Sequence, residues 1–389
     1  MSSIVWYTVN RTVNKFVLKP PSLKPVLNLG VGMSLFIVNF LVAGLVLILF
    51  WVISKSVSWL EALTQFGIQT ILILLVCLGV KNSRLSDVEI VSGRIVSKQS
   101  EKVHCRHSYQ CNCVTRCTGT GKSRSCHRVC QTCYEHSYDV DWFADTNINR
   151  RVYIDTVDRR GTTEPPRWTK IRIGEPASFS HRYENYIKAD PDSLFQHHME
   201  EEEIAKYPRY PGSIYDYYRI NRSVGVFDLR EELSEINADI GPAVGGNLVV
   251  VTDNKSTSKY AKLIQRAWLG AKKNDIVLVL GLDGKRIKWA EVVGISYPDF
   301  KVKLRNEVND HGILDQGLLD KVKVSIIRDF KRRPMSEFEY LKESYKPTKG
   351  EWVFSLIMSL ILSIGMGIFF HINDPFVRGF TYKRHRRWR

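Results

Sequence analysis

Three stretches of this chain carry no charge over the length a helix needs to cross a bilayer, and they constrain everything else. Pro25 to Ser54 contains LFIVNFLVAGLVLILFWVI, Ala62 to Val80 contains TILILLVCLGV, and Trp352 to Phe370 reads WVFSLIMSLILSIGMGIFF. About 20 predominantly apolar residues span a hydrocarbon core, where the backbone has to satisfy its own hydrogen bonds as a helix. A buried helix of a soluble protein would account for one such run, but not for three with basic flanks. The sequence predicts a helix pair at 25–80, a third span at 352–371, and a soluble region, 81–351, between them. Gln65 and Gln69 would be costly facing lipid and are expected to face a partner helix. Cys77 reads as a small buried apolar group. Ser363, Gly365 and Gly367 either admit a close helix neighbour or reflect ordinary tolerance of glycine in membranes.

The formal net charge of +16 gathers beside these spans. Arg11, Lys15, Lys19 and Lys24 stand in residues 1–24 with no acid, in a basic segment with amphipathic helical spacing that ends at Lys19-Pro20-Pro21. The tail, 372–389, carries Arg378, Lys383, Arg384, Arg386, Arg387 and Arg389. Such charge sets topology and attracts anionic headgroups, so the lipid bilayer is an expected partner and nucleic acid is not. No small-residue cleavage site follows the first apolar run, which argues against a secretory signal peptide. Three spans put the termini on opposite sides. The stronger basic flank at the C-terminus places it in the cytoplasm and the soluble region outside, in an inner or plasma membrane.

Within the soluble region the cysteines dominate. Seven of the chain's 8 cysteines lie in HCRHSYQCNCVTRCTGTGKSRSCHRVCQTCYEH, residues 104–136, a segment too polar to order by burying a core. Cys105, Cys111, Cys113, Cys117, Cys126, Cys130 and Cys133 support two chemistries. As disulfides they make three bridges and leave one thiol, with connectivity not deducible from sequence. As zinc ligands, with His104, His107, His127 and His136 available, they fill one four-cysteine site and one three-cysteine-one-histidine site. The inventory suits zinc, an extracytoplasmic location suits disulfides, and both remain open. A catalytic thiol is disfavoured in such a crowd. Flanking segments 87–99, 138–145 and 151–161 read as strands, the first as strand, turn and strand. The cluster is thus an elaborated loop of a Cys-rich β subdomain, 81–157, with its tip near Gly119 and Gly121.

Residues 158–225 form a Pro/Tyr-rich connector: Pro165, Pro166, Pro176, Pro191, Pro208 and Pro211 break long helices, and a short helix is expected at 193–206. The acidic run 200–203 reads as a solvated face. Tyr183, Tyr186, Tyr207, Tyr210, Tyr215, Tyr217 and Tyr218 are aromatic without periodicity. From 226 to 344 the pattern changes to helix, strand, helix, strand, strand, helix, the helices after the hairpin lying at 315–332 and 335–344, an α/β sandwich on a short sheet.

On NLVVVTDN and YAKLIQRAWLGAKKNDIVLVLGLDGKRIKWAEVVGI, roughly residues 228–332, the sequence resembles the TPM domain, a family named for thylakoid-lumen, phosphatase and membrane-linked proteins. The arrangement as a whole also resembles membrane proteins of unassigned function encoded by tailed phages. Because some TPM proteins are described as phosphatases, the resemblance implies an acidic metal or phosphate site with Asp253, Asp275 and Asp283 as candidates. Each also has a plain reading as turn or helix-exit chemistry. No Walker lysine motif, nucleophile elbow or HExxH occurs.

The sequence therefore describes a membrane-anchored α+β protein with three transmembrane helices, a Cys-rich β subdomain and a TPM-like α/β sandwich. Its expected work is binding or assembly, as a scaffold or accessory factor among other membrane or envelope proteins, possible homo-oligomers included. One rival is a metal-dependent phosphohydrolase. Another is a zinc-stapled cytoplasmic regulator touching nucleic acid through Lys122, Arg124 and Arg128. A channel is not expected, since only Glu61 and His371 are ionisable within the spans, both at edges.

Overall fold

The computed structural model describes residues 32–53, 59–119, 124–154, 164–190, 192, 194–195, 204–208, 221–254 and 257–373. The basic segment 1–24, Lys122, the acidic run 200–203, most of the helix expected at 193–206, Tyr210, Tyr215, Tyr217, Tyr218 and nearly all of the tail lie outside them.

Two apolar helices come first, α1 (Gly32–Ile53) and α2 (Trp59–Leu85). The strand β1 (Ser86–Val103) follows α2 with no residue between. The sequence suggested strand, turn and strand here, but the structure has one 18-residue strand. Its turn signal, Ser92-Gly93, marks instead where the strand changes partner. Ser86–Arg94 pairs with one neighbour, Ile95–Val103 with another, and a bulge between Ile95 and Ser97 lies just beyond. Gly93 suits this junction because a Cβ there would stand 2.5 Å from Asn147 Oδ1, the atom that accepts from the Arg94 N–H.

A hairpin of β2 (Ser108–Thr118) and β3 (Ser125–Tyr134) leaves the end of β1 and returns to β4 (Asp139–Thr146), which turns into β5 (Arg151–Ile154). After a short helix, α3 (Pro166–Lys170), the strand β6 (Pro176–Glu184) closes the first sheet, in the order β5-β4-β1-β6 and antiparallel throughout. This corrects the connector assignment, because residues 176–184 are part of the sheet rather than a link. PASFSHRYE hides the strand by setting its inward Ala177 and Phe179 among serine, histidine and arginine. The core of this sheet gathers Ile95, Val140, Trp142, Ala144, Val152, Ile171 and Phe179, with Trp168 edge-on to Trp142.

The second sheet is built from β7 (Ser223–Gly225), β8 (Asn247–Asp253), β9 (Asp275–Asp283) and β10 (Arg286–Val293), in the order β10-β9-β8-β7. β7, β8 and β9 are parallel, and β10 returns antiparallel through Asp283-Gly284, the hairpin turn expected there. α4 (Arg230–Val244) links β7 to β8, and α5 (Lys259–Ala267) links β8 to β9. Two helices follow β10, α6 (Pro298–His311) and α7 (Gln316–Asp329). β8 and β9 are buried on both faces, as befits parallel strands between helices. Leu248, Val250, Ile276, Leu278 and Leu280 meet α4, α6 and α7. Val249, Val251, Val277 and Val279 meet α5 and Tyr207. Neither α6 nor β7 was expected from the residue pattern. Half of α6 is Lys, Arg, Asn and Asp, with only Phe300, Leu304 and Val308 buried at four-residue spacing. Residues 335–342 form a 3-10 helix where an α-helix was expected.

The two sheets meet along the first half of β1. Arg222 is wholly buried there and donates to Asn247 on β8 and to Ser92 and Ser178 on the other sheet. Asp87 faces Lys188 and Lys272, while Glu89 faces His181, Lys273 and Arg332. Asn274 donates to the Ile90 carbonyl at 2.6 Å. The seam is polar and its two acids are ion-paired, while Glu89 Oε2, Asn274 Oδ1 and Arg332 Nε are buried there without a hydrogen-bond partner among the described residues.

The chain ends in α8 (Lys349–Asn373), which packs against α1 and α2. Inside this apolar bundle Asn39 donates to Ser355 Oγ at 3.1 Å, and Trp51 donates to Gln65 Oε1 at 2.8 Å. Gln65 and Gln69 are buried within the bundle, as their cost in lipid required. Gly367 lies against Phe50, where a Cβ would come within 2.6 Å of the ring, whereas Gly365 has nothing within 4 Å. Leu41, Leu45, Leu49 and Val52 point outward, an apolar surface suited to hydrocarbon. Each of the three helices is long and apolar enough to cross a membrane.

Candidate functional site at the cross-linked hairpin

β2 and β3 form a separate two-stranded ladder that stands off the end of the first sheet. Among the described residues of 108–134 none joins a buried apolar cluster, so what stiffens the hairpin is covalent. Three disulfides cross it: Cys117–Cys126, Cys113–Cys130 and Cys111–Cys133. Cys117 and Cys126 face each other directly in the register. The spacing of the other two pairs, two residues on β2 against three on β3, would send Cys111 and Cys133 to opposite faces of a regular ladder. A bulge between Cys111 and Val114, with Asn112 at φ 45°, supplies the one-residue shift that brings them together.

The hairpin is exposed and one-signed. No acid occurs from residue 104 to 134, while Arg106, Arg116, Arg124, Arg128 and three histidines do. Tyr109, Val114, Val129 and Tyr134 are solvent-facing, and Val114 sits opposite Val129 in the ladder. Arg124, just before β3, and Arg128, on it, suggested as nucleic-acid contacts, are exposed.

At the base of the hairpin, where β1 ends and β4 begins, lies a second arrangement. Cys105, the seventh cysteine of the cluster, is unpaired and 1% exposed. Beside it are His136 and Asp139, and the three ligand atoms lie within 4.8 Å of one another. Asp139 opens β4 opposite Val103, and one carboxylate oxygen accepts the Arg106 N–H at 2.8 Å while the other meets His136 Nε2. The Arg106 N–H, helped by His136, holds this carboxyl below the usual range. Cys105 Sγ lies 3.6 Å from the His107 carbonyl. Of the other cluster histidines, His104 is edge-on to Tyr134 at 4.4 Å, His127 is exposed, and His107 is exposed but near enough to Asp139 to help lower its carboxyl. Asp139 was missed by sequence reasoning, although His-x-x-Asp on the return leg was the available signal.

No family model, curated protein or solved structure matches the chain. The site stands on its own geometry.

The three acids singled out by the TPM resemblance do not come together as one group, because Asp275 lies apart from the other two. Asp253 and Asp283 end β8 and β9, with Asp283 largely exposed and 3.3 Å from Lys288. Asp275 begins β9, at the other end of the sheet, about 26 Å from Asp283 at the usual strand rise. It is buried and accepts from Tyr207, Asn247 and the Lys272 N–H, and burial raises its pKa despite those bonds. These contacts make it a structural anchor. The acids that the structure does gather, Asp87 and Glu89, sit two apart on one face of β1 and were not foreseen as a pair.

Proposed function

We infer that this chain is an integral membrane protein whose soluble body lies outside the cytoplasm and works by binding, as a scaffold or accessory factor of a membrane complex. The observation that carries the reading is the hairpin: an exposed, basic element that supports no core yet is cross-linked three times. Disulfides persist in oxidising compartments. Rigidity in an element that packs against nothing lowers the ordering cost of meeting a partner. The sign of its charge favours an acidic surface on another membrane or envelope protein. The zinc alternative narrows from two sites to one three-residue group, Cys105, His136 and Asp139.

The test uses the intact protein in native membranes. A membrane-impermeant maleimide is applied before and after an impermeant reductant, and cross-linked neighbours are compared between the native chain and a variant with residues 108–134 replaced by a short turn. The reading expects hairpin labelling only after reduction and loss of specific cross-links in the variant. Labelling without reductant, or labelling that needs permeabilised membranes, defeats the extracytoplasmic assignment. An unchanged set of cross-links defeats the binding role.

A further inference from the structure

We propose that Cys105, His136 and Asp139 form a binding site for a single zinc-class divalent cation that clamps the base of the hairpin. The proposal deepens the binding role of the hairpin, since it concerns what fixes its direction, but it does not depend on membrane orientation.

The chemistry of the donor set comes first. Thiolate, imidazole and carboxylate are the three side-chain types that tetrahedral zinc takes from proteins. They come here from two chain segments that the hairpin separates: Cys105 from the outgoing leg, His136 and Asp139 from the returning one. The ligand atoms lie within 4.8 Å of one another, and zinc bonds of 2.0–2.3 Å would set them about 3.3–3.7 Å apart. Side-chain rotations of about 1 Å would do this: Cys105 Sγ closes on the other two, while His136 Nε2 and Asp139 Oδ1, now hydrogen-bonded to each other, part to admit the ion between them.

The surroundings are arranged for it as well. The Arg106 N–H holds one oxygen of Asp139 and leaves the other directed at His136, the way an outer hydrogen bond orients a ligating carboxylate. His136 keeps 18% of its side chain exposed, which gives an ion access and leaves room for water as fourth ligand. A His–Asp hydrogen bond alone would account for those two residues. It would not account for a buried thiol beside them in a segment where every other cysteine is bridged. Next to three disulfides an unpaired thiol invites exchange, and coordination would silence it.

The experiment takes the full-length protein in detergent, strips it with chelator, and confirms three disulfides by mass without reductant. Zn2+ and then Co2+ are titrated in. The expected result is one ion per chain, with a near-ultraviolet thiolate-to-cobalt band. Cys105→Ser abolishes the band, while His136→Gln and Asp139→Asn each weaken binding by roughly tenfold or more. Proteolysis near residues 104–107 should slow on zinc addition in the native chain and not in Cys105→Ser. With the disulfides intact, no binding, a cobalt spectrum without the thiolate band, or binding indifferent to Cys105→Ser overturns the proposal and leaves the hairpin reading standing. Absence of disulfides, with more than one zinc per chain, overturns both.

Discussion

Gly241 of α4 lies so close to Ser92 of β1 that a Cβ on the glycine would stand 1.9 Å from the serine carbonyl oxygen. The obstacle is backbone on a paired strand, which cannot rotate away. Gly241→Ala should therefore push helix and strand apart where Arg222 is buried, at a cost of about 3 kcal/mol. Chemical denaturation of the detergent-solubilised protein checks this, and a shift under about 1 kcal/mol would show that the seam is looser than its geometry.

Acid should open the same seam. Burial pushes Glu89 up, but His181, Arg332 and Lys273 more than offset it, and its pKa is lowered. Asp87 is likewise raised by burial and brought below its usual value by Lys272, Asn185 and Lys188. A carboxylate whose folded pKa is depressed stabilises the fold above the unfolded value, about 4, and that contribution is lost as pH falls through the folded pKa. Thermal midpoints should drop between about pH 5 and pH 3. Glu89→Gln should cost about 2–3 kcal/mol at neutral pH, discounted because Arg332 and His181 are partly exposed, and should flatten the acid dependence. An unaltered pH profile in the variant would remove Glu89 from the account.

Reduction should act locally. The hairpin shares no buried apolar cluster with either sheet, so breaking its disulfides releases chain entropy in residues 108–134 and little elsewhere. Hydrogen exchange should show protection lost across β2 and β3, with the midpoint of the soluble body moving by less than about 3 °C. Global loss of protection would mean that the ladder also supports the first sheet.

The apolar bundle offers a paired comparison. Gly367→Leu must displace the Phe50 ring and should weaken the packing of α8 on α1 by about 2 kcal/mol. Gly365→Leu, two residues away with nothing within 4 Å, should be close to neutral. Unfolding of the bundle in a graded detergent series distinguishes them. Equal effects would imply that α8 is rotated from the packing described.

What could be seen in the sequence follows from how local the physics is. Apolar runs such as 352–370 announce helices without any partner, and the inward Gln65 and Gln69 follow from the same cost. Strands β8 and β9 were visible because burial on both faces leaves an unbroken apolar run. β6 and α6 were not: α6 buries only three residues, and β6 sets buried Ala177 and Phe179 among serines, histidine and arginine that break the apolar run. The cysteine inventory was plain, including the one thiol left over, but pairing Cys111 with Cys133 depends on a bulge at Asn112 that composition does not reveal. Asp87 and Glu89 looked like ordinary outward positions of an alternating strand. Their partners, Lys272, Lys273 and Arg332, come from more than 180 residues away, as the separations of 185 and 243 show.

The absence of a linker between α2 and β1 has a mechanical meaning. Leu85 ends the helix, Ser86 starts the strand, and Leu85 is packed with Ala189 and Tyr345 while Arg84 reaches Glu351 at the head of α8. The two points where the soluble body joins the apolar helices are thus tied to each other. From this joint β1 runs unbroken to the hairpin, 18 residues or about 60 Å if fully extended. The residue count of this strand therefore sets how far the hairpin stands from the joint with the apolar helices.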